Sequence, residues 1–148
     1  MTEVRAEIPR SPEEVFAVLA DGWSYAHWVV GASHMRAVDA DWPRVGSKIH
    51  HSVGLWPLTV EDSTVVLACD PPHKLELHAR LWPFGQAWIG LELTPTTAHT
   101  TEVRMVETVD QGPARLLPGL LETAMLKPRN KESLSRLSDL VTAGYQQR

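Results

Sequence analysis

The stretch LELTPTTAHTTEVRMVE, Leu91 to Glu107, decides the fold. On its first limb Leu91 and Leu93 alternate with Glu92 and Thr94. On its second, Val103 and Met105 alternate with Glu102 and Arg104. An apolar period of two marks a half-buried strand. The six residues TPTTAH between the limbs are turn formers, so the limbs pair antiparallel. Setting Leu91 against Met105 brings Glu92 opposite Arg104, a cross-strand pair that contributes roughly 0.2–1 kcal/mol. A slip of one residue would turn every leucine outward. One residue breaks the pattern: Glu107 shares the apolar parity of Val103 and Met105. A carboxylate there needs a partner, water or a proton. The alternative is that the strand bends near its end and leaves Glu107 solvated.

The same alternation runs upstream. Leu75, Leu77, Ala79 and Leu81 share one face, as do Ala87, Ile89, Leu91 and Leu93. Pairing Leu77 with Leu91 would set Arg80 opposite Trp88, where a cation–π contact forms. Strands are expected near Thr2–Ile8, Ser33–Val38, Lys48–Val53, Thr59–Cys69, Lys74–Leu81, Gln86–Thr94 and Thr100–Val109. The separators DWPRVG, GLWP, DPPH and WPFG are short and rich in turn residues, which predicts an antiparallel meander. Trp42 and Trp82, each followed by proline, read as turn anchors. Glu61 and Asp62 read as a bulge. Cys69 shares parity with Val65 and Leu67 and reads as a buried, inert thiol.

Two helical regions complete the pattern. In SPEEVFAVLAD, Ser11 is an N-cap, Pro12 suits the first turn and Glu14 completes a capping box. GWSYAHWVVG reads as a second short helix or ordered loop. The last region, LLETAMLKPRNKESLSRLSDL, Leu120 to Leu140, is the only large cover for the apolar face of the sheet. On a helical wheel Leu134, Leu137 and Val141 form one stripe and Leu117, Leu121 and Met125 another. A continuous helix would hold the two more than about a third of a turn apart. Pro128 removes a donor and clashes with the preceding turn. A break or sharp kink is therefore expected near residues 126–130, bringing both stripes inward. Asn130, within the later stripe, either caps the second segment or points a polar group into a cavity.

The 148 residues fit a single domain, 1–148, which at this size buries roughly 70% of its unfolded surface. One cysteine, Cys69, rules out an internal disulfide and suits a reducing, cytoplasmic setting. No apolar run approaches the ~20 residues of a membrane span. The net charge is −4 with both signs interspersed, which argues against nucleic acid as a partner. Six tryptophans against two Phe and two Tyr are heavy usage, and such rings fill cores or line pockets.

The segments IPRSPEEVFAVLAD, WPRVG, DPPHKLELHA, LELTPTTAHTTEVRMVE and RNKESLSRLSDL together resemble the SRPBCC or START-like superfamily, which includes polyketide cyclase/dehydrase-like proteins. The resemblance spans nearly the whole chain. It implies an α+β helix-grip fold: a curved antiparallel sheet of about seven strands wrapped around a C-terminal helix, with two short helices after strand 1. It also implies a cavity between sheet and helix that holds a hydrophobic, lipid-like or polyketide-like molecule. In that frame Leu67, Leu77, Ile89, Leu91 and Met105 line the sheet side, Leu121, Met125 and Asn130 the helix side, and Trp28 and Trp56 the rim.

Motifs for phosphate binding, serine hydrolysis or zinc proteolysis are missing from the sequence. His50 and His51 are adjacent on a strand and face opposite sides. The other histidines lack ligand spacing, so neither a metal nor a cofactor is expected. His51 lies on the inner parity with Ile49 and Val53. If it shares the cavity with Glu107, the two form an acid–base couple for enolising a ketone. In that case His51→Ala and Glu107→Gln change ligand handling and leave the thermal midpoint nearly unmoved. Three functions stay open: a binder of a hydrophobic small molecule, a polyketide cyclase or dehydratase using His51 and Glu107, and a partner-binding regulator with a filled cavity and an exposed apolar patch. A homodimer is also open.

Overall fold

The structure is a computed structural model that describes residues 1–30, 35–53, 60–81, 85–116 and 118–145. In chain order it contains β1 (Thr2–Ile8), α1 (Pro12–Leu19), a 3-10 turn (Gly22–Ser24) running into α2 (Tyr25–Trp28), β2 (Met35–Val38), β3 (Lys48–Val53), β4 (Val60–Asp70), β5 (Lys74–Leu81), β6 (Gly85–Thr97), β7 (Thr100–Gln111), a second 3-10 turn (Pro113–Leu116) and α3 (Gly119–Thr142). The strands form one seven-stranded antiparallel sheet in the order β1-β7-β6-β5-β4-β3-β2. β1 and β2 therefore lie at opposite edges, and the chain between them, with α1 and α2, must cross one face of the sheet. α3 packs against that face too. This is the helix-grip arrangement.

Local chemistry sets each element. Ser11 Oγ accepts the Glu14 N–H at 3.3 Å and starts α1. The indole of Trp42 donates to the Leu19 carbonyl at 3.2 Å and satisfies one group left open at the end of α1. Trp42 is buried, an anchor as expected; Trp82 lies outside the described residues. In the hairpin Leu91 pairs with Met105 and Glu92 with Arg104, as the alternation predicts. The Arg104 guanidinium lies 3.5 Å from Glu92 and 2.9 Å from Glu3 on β1. Hydrogen bonds from Arg104 and then Arg5 hold the Glu3 carboxyl down to about 2. The inward faces of β1, β5, β6 and β7 join Leu134, Leu137 and Val141 of α3 in one core.

Three expectations fail, each for a definable reason. Leu77 pairs with Ile89, and Leu75 takes Leu91. The two-residue offset keeps the apolar face but moves Arg80 opposite Gln86, so its expected contact with Trp88 is replaced by Asp62 at 3.4 Å. Alternation fixes the face of a strand but not an even-numbered slip. Next, the bulge in β4 falls between Val66 and Ala68, whereas the pairing through Glu61 and Asp62 is regular. The extra residue exchanges the faces of the strand. Val66 is buried, Leu67 turns outward at 44% exposure, and Cys69 regains the inner side and packs partly against the core.

The third failure is the break in the last helix. α3 is continuous from Gly119 to Thr142 with Pro128 inside it. Pro128 is exposed, so water can hydrate the carbonyl that loses its partner. With no break to reset the phase, the two apolar stripes stay apart. The later stripe meets the sheet, and the earlier one faces out: Leu121 is 45% and Met125 60% exposed. Leu117 lies outside the described residues.

Candidate functional site

A cavity of about 160 Å³ lies between the sheet and α3. Its sheet wall is built from inward positions: Ile49 and His51 on β3, Thr64 on β4, Leu77 and Ala79 on β5, Ile89 and Leu91 on β6, Met105 and Glu107 on β7. Tyr25 and Trp28 of α2 close one side. Arg129, Asn130 and Ser133 of α3 close the other. Strand parity explains the sheet contribution, since residues two apart face the same way. On α3, Asn130 and Ser133 are three apart and share a face.

The polar end is a network around Glu107. Its side chain is only 2% exposed, and Arg129 Nη2 lies 2.5 Å from each of its oxygens. Asn130, also buried, donates to the same carboxylate at 3.4 Å and accepts from Arg129 Nε at 3.3 Å. The carboxylate thus meets its partners on α3, with Arg129 22 residues later in the chain. The arrangement replaces water around a buried charge with an ion pair and a further hydrogen bond. Glu107 is not solvated by a bend in β7, and Asn130 lies inside α3 instead of capping it.

His51 faces the same cavity, with Nε2 3.2 Å from Thr64 Oγ1. Burial holds its pKa below the usual histidine value, Arg36 and His50 add to the effect, and Asp62 opposes it. The imidazole is therefore uncharged at neutral pH. Glu107 is committed to Arg129 and Asn130, so the two groups line one cavity without forming a hydrogen-bonded couple.

Trp28 is fully buried against Tyr25, ring centroids 4.9 Å apart, and its indole N–H has no partner among the described residues. It forms wall, not rim. Tyr25 donates its hydroxyl to the Leu19 carbonyl at 3.2 Å. Ser133 Oγ accepts the Val30 N–H at 3.1 Å, tying α3 to the end of α2.

Of the residues expected at the site, Trp28, His51, Leu77, Ile89, Leu91, Met105, Glu107 and Asn130 line the cavity. Leu67, Leu121 and Met125 do not; the bulge and the unbroken helix turn them away. Trp56 lies outside the described residues. Arg129 is the principal lining residue that pattern reading passes over. Its signal was present: a lone carboxylate on an inward strand face requires a cation, and Arg129 adjoins the polar residue in the inward stripe. Tyr25, Thr64 and Ser133 carry no comparable mark. No group of three His, Cys, Asp or Glu is placed to hold a metal among the described residues. Burial raises the Cys69 thiol above its usual pKa, which suits an unreactive sulfur. No described helix is long and apolar enough to cross a membrane.

Residues 1–142 match the family model described as polyketide cyclase / dehydrase and lipid transport. No curated protein matches the chain significantly. Solved structures share the fold. A Rhodobacter sphaeroides protein is 22% identical with a TM-score of 0.72, over 96% of this chain and 91% of that one. A START superfamily protein from Mycobacterium smegmatis is 13% identical with a TM-score of 0.72, over 96% and 97%. A protein of the dynemicin biosynthetic locus is 20% identical with a TM-score of 0.67; the match covers 97% of this chain and 47% of that one.

Proposed function

The chain belongs to the polyketide cyclase / dehydrase and lipid transport family, and from that premise we propose that it binds a hydrophobic small molecule between the sheet and α3. One observation carries the reading. The cavity wall is mostly aliphatic and aromatic, with a small set of convergent polar groups, which is the composition of ligand sites. A core under selection for stability alone would close such a space, because each unfilled volume forfeits packing contacts.

Native mass spectrometry of freshly purified protein tests this. A small-molecule adduct is expected on the wild type and should vanish in Ala79→Phe, which fills the cavity from β5. A wild type that is always empty, with tryptophan fluorescence unmoved by neutral aromatics and lipids, would overturn the reading.

A catalytic version draws support from the neutral His51, an available base facing the same space. In it Glu107 is a fixed polar anchor instead of the second half of an acid–base couple. Turnover of a ketone lost in His51→Gln, with binding retained, would distinguish it from simple binding.

A further inference from the structure

Charge balance and volume together narrow the ligand. The cavity of about 160 Å³ is close to the ~150 Å³ of a dry engineered cavity that holds benzene, and well below the ~300 Å³ at the lower end for drug-sized ligands. An extended acyl chain exceeds the volume bounded by the described residues. The ionisable groups in the described wall are His51, Glu107, Arg129 and Tyr25, whose hydroxyl burial keeps neutral and which donates to the Leu19 carbonyl. Arg129 and Glu107 neutralise each other at 2.5 Å, both carboxylate oxygens being engaged. His51 sits against Thr64 and is only partly accessible. A ligand carboxylate would therefore enter beside Glu107 with its one countercharge already taken. It would have to displace Glu107, itself 2% exposed, or remain buried and unpaired. A neutral carbonyl meets no such conflict. Arg129 Nη1 has no hydrogen-bond partner among the described residues, so a ligand oxygen that reaches it would leave Glu107 paired.

We infer that the cavity selects an uncharged molecule of about single-ring size carrying one hydrogen-bond acceptor, and that the Glu107–Arg129 pair rejects carboxylates, fatty acids included. This rests on the binding function proposed above.

Benzamide and benzoate have nearly the same shape and differ in charge, so they separate the two ideas. Each is titrated into wild-type protein at neutral pH, alongside palmitate, with the Ile89 and Met105 methyl resonances as reporters. Benzamide should bind at least about 100-fold more tightly than benzoate, and palmitate should give no saturable shift. In Glu107→Gln, Arg129 is released, and the affinity ratio should move toward benzoate by about tenfold or more. If benzoate or palmitate binds as tightly as benzamide, the selection is wrong while the cavity remains a binding site. If none of the three moves the Ile89 and Met105 methyls, the binding function falls and the inference with it. The wild-type comparison decides the matter even if the variant does not fold.

Discussion

Replacing Arg129 by Met removes the cation and retains much of the side-chain volume. It leaves the Glu107 carboxylate, 2% exposed, with only the 3.4 Å hydrogen bond from Asn130. Removing one partner of a buried pair costs about 3–5 kcal/mol. The Arg129 side chain is 31% exposed, so water already screens part of the interaction and the low end applies, about 3 kcal/mol. For a domain of this size that lowers the thermal midpoint by about 6–12 °C. Replacing both groups, Glu107→Leu with Arg129→Met, removes the stranded charge and should recover most of the loss. Urea unfolding of the wild type, the two single variants and the double variant gives the coupling directly, with the m-value checking that the unfolded state is unchanged. A cost below about 1 kcal/mol for Arg129→Met would refute the reasoning, because it would mean that Glu107 finds water without its cation. The cycle also revises an expectation from sequence: with Glu107 paired and buried, Glu107→Gln should lower the midpoint instead of leaving it unmoved.

Acid should act through His51. Its folded pKa lies below the ordinary 6.5, so the unfolded chain takes up a proton that the folded chain resists. The contribution is complete above about pH 6.5 and is lost as pH falls through that value toward the folded pKa. Between about pH 7.5 and 5.5 the wild-type midpoint should therefore drop further than that of His51→Gln, and equal drops would contradict the assignment. The two stripes of α3 should differ as sharply: Leu134→Ala, in the core, should cost about 2–5 kcal/mol. Met125→Gln, in the earlier stripe and 60% exposed, should stay within about 0.5 kcal/mol by urea unfolding; a large cost there would mean that the earlier stripe packs inward.

How far the sequence reaches depends on how local each cause is. The Leu91–Met105 pairing, the Ser11 cap and the meander were all legible, because alternation, capping and turn chemistry act over a few residues. Alternation misplaces Leu67 because one extra residue in β4 exchanges its faces, and no composition signal marks where it falls. The offset between β5 and β6 leaves no mark in the sequence because slips by two preserve the pattern. Pro128 reads as a breaker because its intrinsic cost is large. The helix nonetheless continues, with the proline in solvent and the downstream half gripped by the sheet.

By itself, then, the sequence determined the fold class and the anomaly at Glu107, an acid on an apolar strand face. Only the tertiary structure decided what that acid means. Its partners come from α3, where Arg129 follows it by 22 residues, and whether Arg129 reaches it depends on the phase of that helix, which the unbroken turn at Pro128 fixes. Periodicity is a property of a segment. Charge compensation in a buried site is a property of two segments brought together, and it can be read only once the core has set their distance.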